Sequence, residues 1–370
     1  MVAGEESAES LACLLVKELK KSHPHIEIKA LGGRNLEKEG VDVIYDLVSL
    51  SVVGIFEVLR NIRLFKKIFN LTLKTLKEFQ PQTLILIDYP GFNLRLAREA
   101  KKMNLKVVYY VSPQIWAWRK GRINTIKKCV DLMLVIFKFE EEFYKNEGVN
   151  VKFVGYPRLE LIKPEIPPQE FKKKLNLDRR PLIGIMPGSR KSEVQYLLTP
   201  ILEGLKLIKK DFPQSKFILI KSQKVPQELI ERRLEEFSEL NVAIVENARY
   251  AAIKSCDFLI VCSGTSTIEV ALLEKPFIIV YKLAHFSFLI LKTLIKTPYI
   301  GMVNILLGKK VVPELIQREA NPLNIYRYLK KFLSSPQEMQ SIMEELRKIR
   351  PILKEENPSR KAAHYISELL

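Results

Sequence analysis

Short apolar runs alternate with amphipathic helical stretches along most of this 370-residue chain. In the first half, the apolar runs are residues 83–88, 106–111, 131–136 and 151–155. In the second half, they are residues 181–188, 216–220, 241–245, 257–262 and 276–281. Parallel strands are buried on both faces and need helical crossovers, so this alternation predicts parallel βα units with helices on both sides of each sheet.

A proline-rich stretch interrupts the alternation near the middle of the chain. Residues 161–171, LIKPEIPPQEF, hold three prolines and are typical of an inter-domain linker. We therefore predict an α/β fold with two Rossmann-like domains, residues 1–162 and 163–323, and a cleft between them. Residues 324–370 are mainly charged and helical, and we expect them to return to the first domain or to be swapped in a dimer.

The bulk composition restricts the partners of the chain. A formal net charge of +18 favours nucleic acid, an anionic lipid surface or simply a solvated lysine-rich surface. No nucleic-acid module signature is present, so we predict no nucleic-acid partner. The apolar runs are shorter than the roughly 20 residues of a membrane-spanning helix, and no signal peptide opens the chain. The four cysteines lack metal-type spacing, which predicts reduced core residues and no metal site.

Two loops of the second half combine small polar residues with the start of a helix. Gly188, Ser189 and Arg190 follow one apolar run, and Ser263-Gly264-Thr265-Ser266 follow another. Small residues at a helix N-terminus let main-chain N–H groups approach an anion, and an arginine adds a planar donor. This predicts a diphosphate pocket, with Glu269 accepting hydrogen bonds from a ribose; plain N-capping by Ser and Thr is the alternative. Neither a Walker A loop nor GxGxxG follows a strand, which disfavours an ATPase or dehydrogenase.

The first half offers a carboxylate and two tryptophans. Asp88 ends the apolar run of LILIDYPGFN, where partial desolvation suits a general base; a turn-forming role is the alternative. Trp116 and Trp118 lie in YVSPQIWAWRKGR and are the only tryptophans of the chain. They fit a sugar platform, a membrane-interface anchor or core packing.

Residues 54–79 form a basic amphipathic segment with apolar residues on more than one face. Apolar residues recur at helical spacing, and further apolar and basic residues lie between them. This pattern predicts a face that contacts an anionic bilayer or acyl chains. The residues of this predicted face are Phe56, Val58, Leu59, Ile62, Phe65, Arg60 and Arg63. Residues 285–300, with Lys292 and Lys296, form a second segment of this kind. Two internal helices with solvated lysines are the alternative.

Several motifs in one order give the chain a family resemblance. AGEESAES, LSVVGIFEVL, LIDYPGFN, SPQIWAWR, FVGYP, MPGSRKSEV and SGTSTIEVALLEKP follow one another between residue 3 and residue 276, and NILLGKKVVPELIQ ends at Gln317. Together they resemble lipid A disaccharide synthase, a glycosyltransferase family of the GT-B fold. The SPQIWAWR and LSVVGIFEVL stretches are specific to that family, whereas the SGT…E element alone is typical of GT-B proteins in general.

The resemblance implies an activity and its partners. The donor is UDP-2,3-diacylglucosamine and the acceptor is 2,3-diacylglucosamine 1-phosphate, joined by an inverting, metal-independent transfer that forms a β-1,6 bond and releases UDP. No cofactor is expected. Attachment to the cytoplasmic face of a Gram-negative inner membrane and a homodimer with exchanged carboxyl-terminal segments are also implied. Asp88 matches the catalytic position, and Arg190, Glu269 and Asn304 match nucleotide-side positions.

The chain also departs from the family pattern. Ala8 and Glu9 stand where the family has Gly and Asp, which leaves the acceptor-side roles assigned to Glu5 and Ser7 open. Tyr156 follows Gly155 where a histidine is usual, and Val303 precedes Asn304 where proline is frequent. Two other functions therefore stay open from the sequence: a UDP-N-acetylglucosamine 2-epimerase or other GT-B enzyme of soluble sugars, and an inactive membrane-adsorbed binding protein.

Overall fold

The structure, a computed structural model, describes residues 1–50, 62–117, 120–177, 181–284, 288 and 297–370. The chain divides into two compact units. The first comprises Met1–Arg158 and Leu353–Leu370, and the second comprises Leu159–Ile352. Each unit is built around one sheet of parallel strands, as the alternation of apolar runs predicts.

The first unit contains a seven-stranded parallel sheet in the order β3-β2-β1-β4-β5-β6-β7. Its strands are β1 (Val2–Ala3), β2 (Lys29–Gly32), β3 (Asp42–Asp46), β4 (Thr83–Ile87), β5 (Lys106–Tyr110), β6 (Leu132–Val135) and β7 (Val151–Phe153). Its helices are α1 (Glu6–Ser22), α2 (Arg34–Lys38), α3 (Ile62–Phe79), α4 (Pro90–Lys102), α5 (Ile123–Cys129) and α6 (Lys138–Asn146). Central strands such as β6 are buried along their whole length, because helices cover both faces of the sheet.

The second unit contains a six-stranded parallel sheet in the order β10-β9-β8-β11-β12-β13. Its strands are β8 (Leu182–Met186), β9 (Lys216–Ile220), β10 (Ala243–Val245), β11 (Phe258–Cys262), β12 (Phe277–Tyr281) and β13 (Glu314–Ile316). The helices between and around them are α7 (Pro168–Lys174), α8 (Lys191–Asp211), α9 (Gln227–Glu235), α10 (Arg249–Ser255), α11 (Thr265–Leu272) and α12 (Met302–Leu307).

The carboxyl-terminal part of the chain is helical. The helices are α13 (Pro322–Leu333), α14 (Pro336–Arg347), α15 (Ile349–Leu353) and α16 (Pro358–Ser367). Helix α16 belongs to the first unit, where the His23 ring, just after α1, hydrogen-bonds Ser367 Oγ through its Nε2 at 2.8 Å. Gly155, after β7, has a φ of +86° and lies against the stretch before α16, so that a Cβ there would overlap the Glu355 side chain.

Strand order fixes where ligands approach each sheet. In the first unit the order reverses between β1 and β4, and in the second it reverses between β8 and β11. At such a switch point, the loops after the two adjacent strands turn to opposite sides of the sheet. A crevice therefore opens beyond the carboxyl ends of these two strands, and ligands bind there. Glu5 and Asp88 follow β1 and β4, whereas Gly188 and Ser263 follow β8 and β11. The residues singled out by the motifs thus lie at the two switch points.

Candidate active site

Asp88 is carried on a sharply turned and well-braced main chain. Asp88 and Tyr89 both have positive φ angles, +49° and +46°, directly between β4 and α4. Consecutive left-handed residues other than glycine are uncommon and persist where the surroundings hold them. Here the Asp88 carbonyl accepts hydrogen bonds from Tyr109 Oη at 2.5 Å and from Asn93 Nδ2 at 2.8 Å. The turn therefore presents the Asp88 carboxyl from a fixed position.

The electrostatic surroundings of Asp88 suit a base at neutral pH. Burial, followed by the nearby charge of Glu5, raises the pKa of Asp88 to about 7, although the Tyr89 N–H opposes the shift. A general base is most effective when its pKa lies near the working pH. The residue that the sequence analysis chose as base is thus a buried carboxyl with a pKa near neutrality, and its role as base stays a prediction.

Glu5 lies close enough to this turn for its charge to act on Asp88, and Glu5 and Ser7 are both half-buried. Glu5 is the extended residue that precedes α1. Gly4 leaves room for the Tyr89 ring, since a Cβ at Gly4 would lie 2.7 Å from Tyr89 Cδ1. The structure therefore brings Glu5 and Asp88 to the same end of the sheet.

Glu9, one of the departures from the family pattern, has a structural task. Its side chain is 2% exposed, and Oε1 accepts a hydrogen bond from the Asn35 main-chain N–H at 2.9 Å. Oε2 accepts another from Asn35 Nδ2 at 3.2 Å. The carboxylate satisfies N–H groups of the first turn of α2, so Glu9 anchors that helix to α1.

A buried carboxyl that the sequence reasoning missed lies near Asp88. Glu140, in the first turn of α6, accepts hydrogen bonds at Oε1 from Ser112 Oγ at 2.8 Å and from Trp116 Nε1 at 3.1 Å. Trp116 itself is half-buried and packs edge-on against Phe139 at 4.9 Å between ring centroids. Trp118 lies outside the described residues. The signal that could have identified Glu140 is an acidic residue just beyond the apolar run at 131–136.

In the second unit, Gly188-Ser189-Arg190 wraps around an acidic side chain. Glu193 Oε2 accepts hydrogen bonds from the Ser189 N–H at 3.0 Å and the Arg190 N–H at 3.2 Å. Glu193 Oε1 pairs with the Arg190 guanidinium at 3.2 Å. These two main-chain N–H groups, which the sequence assigned to a diphosphate, therefore already have an acceptor in the chain. The Arg190 side chain is 43% exposed and is therefore accessible from solvent.

The Ser263-Gly264-Thr265-Ser266 loop opens α11 as the sequence predicts. Thr267 closes the turn by donating from Oγ1 to the Gly264 carbonyl at 2.7 Å. Among the described residues, no heavy atom beyond the adjacent residues lies within 4 Å of the position that a Cβ would take at Gly264. The start of α11 thus presents a helix N-terminus beside space that no described side chain fills, and this combination suits an oxyanion.

Glu269 is held by an arginine that the sequence reasoning left without a role. Arg249, at the start of α10, donates from Nε and a terminal nitrogen to Glu269 Oε2 at 3.1 and 2.9 Å. The same terminal nitrogen donates to Ser266 Oγ at 3.0 Å. Arg249 therefore joins the end of β10 to the loop after β11, and it fixes the carboxylate assigned to the ribose.

Asn304 is fully buried, and its side-chain amide is saturated within the chain. Nδ2 donates to the Val312 carbonyl and to Glu314 Oε1, both at 2.8 Å. Oδ1 accepts from the N–H groups of Val311 and Val312, both at 2.9 Å. Glu314 in turn accepts from the N–H groups of residues 300 and 301. Asn304 thus shapes the loop next to Ser263, whose Oγ donates to the Ile300 carbonyl at 3.4 Å.

Part of the predicted lipid face falls within the described residues. Ile62 is 55% exposed at the start of α3, and Arg63 beside it is also exposed. Phe65 is half-buried and packs against the core of the first unit. Phe56, Val58, Leu59 and Arg60 lie outside the described residues, as do 285–287 and 289–296.

The described residues show neither a metal-binding cluster nor a membrane-spanning helix. Across the part of the chain that the structure describes, no group of three or more His, Cys, Asp or Glu side chains is arranged to hold a metal ion. The four cysteines are free thiols. Within the same described ranges, no helix combines the length and the apolar character needed to cross a bilayer.

Comparison with protein families and curated proteins gives a consistent result. The family model described as lipid-A-disaccharide synthetase matches residues 1–368. The chain is 37% identical over 355 residues to lipid-A-disaccharide synthase 1 of Legionella pneumophila (strain Lens), covering 95% of this chain and 92% of that protein. It is 36% identical over 371 residues to lipid-A-disaccharide synthase of Coxiella burnetii (strain CbuG_Q212), covering 100% and 98%.

Comparison with solved structures gives the fold. The UDP-bound structure of S. aureus MnaA superposes with a TM-score of 0.69 at 12% identity, covering 100% of this chain and 97% of that one. A UDP-GlcNAc 2-epimerase from Neisseria meningitidis, bound to UDP-GlcNAc, gives a TM-score of 0.63 at 13% identity, covering 99% and 98%. At such low sequence identity, these similarities establish the predicted fold of two Rossmann-like domains, but they do not identify the substrate.

Proposed function

The chain belongs to the lipid-A-disaccharide synthetase family and is a glycosyltransferase of lipid A biosynthesis, and we propose that it transfers 2,3-diacylglucosamine from its UDP donor to 2,3-diacylglucosamine 1-phosphate. The products are a tetraacyl disaccharide 1-phosphate with a β-1,6 link, and UDP. The observation that carries this proposal is the Asp88 carboxyl, braced at the switch point of the first sheet with its pKa raised to about 7.

The reaction is a single displacement with inversion. The 6-hydroxyl oxygen of the acceptor forms a bond to the anomeric carbon of the donor while the bond from that carbon to the UDP oxygen breaks. The hydroxyl proton passes to Asp88, and the electron pair of the broken bond leaves on UDP. A base for the hydroxyl and cationic or N–H donors for the departing diphosphate are the two requirements of this step.

The second unit supplies the donor-side groups. The open start of α11, with Thr265 and Ser266, offers main-chain N–H groups to the diphosphate. Arg190 offers a guanidinium that is 43% exposed and able to exchange its Glu193 partner for phosphate. Glu269, held by Arg249, accepts from the ribose hydroxyls.

The decisive experiment is a product assay with the purified full-length chain, both diacyl sugars and a metal chelator. We expect the disaccharide 1-phosphate and UDP to appear in equal amounts, and we expect UDP-N-acetylglucosamine without acyl chains to be a much poorer donor. Epimerisation of UDP-N-acetylglucosamine at a rate comparable to transfer would favour the soluble-sugar alternative. Binding to anionic vesicles with no UDP-dependent rise in melting temperature would favour the inactive binding protein.

We also propose that the chain works at a membrane surface, as a peripheral protein on the cytoplasmic face of the inner membrane. Support comes from Ile62 beside the exposed Arg63, Lys66 and Lys67, and from the net charge of +18. Sedimentation with vesicles tests this: binding should require anionic lipid, weaken with salt, and weaken further in Ile62→Asp. Equal binding to neutral vesicles would contradict it.

A homodimer with exchanged carboxyl-terminal segments is the corresponding proposal for assembly. Its support is that α16 packs on α1 although the two helices lie near opposite ends of the chain, and a terminal segment packed in this way can be exchanged between two copies. Light scattering coupled to gel filtration measures the mass directly. A monomer at micromolar concentration would contradict the proposal.

A further inference from the structure

The buried cluster of Ser112, Trp116 and Glu140 has no part in the displacement described above. Glu140 is 2% exposed, and its Oε1 receives both hydrogen bonds of the cluster. Oε2 is buried without a direct hydrogen-bond partner among the described residues, although the Phe137 N–H lies close enough to favour the charged form. Burial of a carboxyl without a full set of hydrogen bonds lowers the stability of the fold, which indicates that Glu140 is present for a functional reason.

The main chain on one side of the cluster is also strained. Val111 precedes Ser112 and has a φ of +63°, which is a rare conformation for a β-branched residue. Its N–H donates to the Leu134 carbonyl at 3.0 Å, which holds the turn against β6. This turn directs the chain from the end of β5 into the segment that contains Trp116. Strain at the end of a central strand, next to a buried carboxyl, marks a position maintained for function.

The cluster is electrostatically linked to the proposed base. The charge of Asp88 is among the causes that raise the pKa of Glu140, so the two carboxyls share one end of the sheet. The Trp116 indole is half-buried, with its N–H bound to Glu140 and its ring against Phe139. An indole fixed at both the nitrogen and the ring is a pre-organised surface for the apolar face of a sugar, because little freedom is lost on binding.

From this arrangement we infer that Glu140 is a positioning residue, which locks Trp116 as the surface that orients the sugar of the glycolipid acceptor beside Asp88. The inference rests on the proposed transferase function. It predicts that Glu140 acts on acceptor recognition through Trp116, and that donor binding in the other unit is unaffected.

Steady-state kinetics with each substrate varied in turn tests the role. Trp116→Phe keeps an aromatic ring but loses the indole N–H, and Glu140→Leu removes the carboxylate oxygen that accepts its hydrogen bond. Each variant should raise the KM for the acceptor sugar about tenfold, which is the effect expected for one charge-assisted hydrogen bond. The KM for the UDP-sugar donor should stay unchanged. Glu140→Gln keeps an oxygen for both donors and should stay within about twofold of wild type. The matched control is Glu141→Gln, a neighbouring buried carboxyl that pairs instead with Lys138 and Lys145, and it should leave the acceptor KM unchanged.

The outcomes separate this inference from the proposed function. Unchanged acceptor KM in both Trp116→Phe and Glu140→Leu overturns the inference while turnover stands. Should Glu140→Leu fail to fold, Trp116→Phe still decides. If wild type forms no disaccharide, calorimetric titration with the acceptor sugar alone measures its Kd in place of the KM. Weaker acceptor binding by Trp116→Phe than by wild type would then support the positioning role of Glu140 without the transferase function. No acceptor binding by wild type would overturn both the positioning role and the transferase function.

Discussion

Arg249 donates two hydrogen bonds to one carboxylate oxygen of Glu269, at 2.9 and 3.1 Å, and so links two strand ends of the second sheet. The Glu269 side chain is 4% exposed, whereas that of Arg249 is 29% exposed. Arg249 and Glu269 therefore form a mostly buried ion pair. Its geometry determines whether the carboxylate can face a ribose.

Removing this arginine should destabilise the second unit and weaken UDP binding. Arg249→Ala leaves the buried Glu269 charge without its guanidinium, which costs about 3 kcal/mol in the free energy of unfolding. We expect Arg249→Ala with Glu269→Gln to recover part of that loss, because the double variant no longer buries the carboxylate charge that had paired with the guanidinium. Urea unfolding gives the stability and calorimetry gives the UDP Kd. A stability equal to wild type in Arg249→Ala would contradict the ion-pair argument.

Asp88→Asn should abolish most of the transfer and leave donor binding intact. The amide is nearly isosteric but cannot take the hydroxyl proton, so kcat should fall by at least about a hundredfold. The measurements are disaccharide formation under saturating substrates and the Kd for UDP. Glu99→Gln, at a half-buried residue of α4 that pairs with Lys102, is the matched control and should retain wild-type kcat. Near-normal turnover in Asp88→Asn would mean that another group is the base.

The pH dependence of the rate should follow the Asp88 carboxyl. Burial, then Glu5, raises the pKa of Asp88 to about 7, and the base acts in its ionised form. Activity should therefore be lost as the pH falls through about 7 and should be full above it. Glu5→Gln removes a negative neighbour, which lowers the pKa of Asp88 and moves the acid limb to lower pH. Glu6→Gln, an exposed neighbour, should leave the profile in place.

Glu140 should make folding stability depend on pH. Burial raises the pKa of Glu140 from 4.5 to about 7, so between those values the folded chain holds a proton that the unfolded chain releases. The free energy of unfolding should then fall as the pH rises across this window, by about 3 kcal/mol from this group, and the loss is complete above the folded pKa. Glu140→Gln lacks this loss, so its melting temperature relative to wild type should rise between pH 5 and pH 8. A constant difference would contradict the burial argument.

Gly155→Ala should destabilise the first unit. Its φ of +86° disfavours any side chain, and a Cβ would overlap the Glu355 side chain before α16. We expect a loss of about 1–3 kcal/mol in the free energy of unfolding. Gly91→Ala is the control, because no atom of the surrounding described residues lies within 4 Å of the Cβ position there and Gly91 lies in the first turn of α4. Comparable melting temperatures for the two variants would show that α16 tolerates the added methyl.

Much of the sheet architecture was predictable from apolar periodicity. The nine predicted runs each contain a strand, from β4 to β12, because fully buried parallel strands appear as continuous apolar segments. The strands β2, β3 and β13 escaped prediction, since Lys29, Asp42 and Glu314 give them a mixed composition. Strands at or near a sheet edge have this character because one side is less covered.

The sequence by itself determined that this is a pair of parallel α/β units, and it placed Asp88 and the Ser263 loop at strand ends, because periodicity and strand-end motifs are local properties of the chain. Only the tertiary structure decided which polar groups are already satisfied: Glu193 occupies the N–H groups of residues 189 and 190, and Asn304 is saturated within its own loop. It also decided that Glu140 is buried beside Trp116. Burial and hydrogen-bond partners depend on which segments meet in space, and no local pattern specifies that.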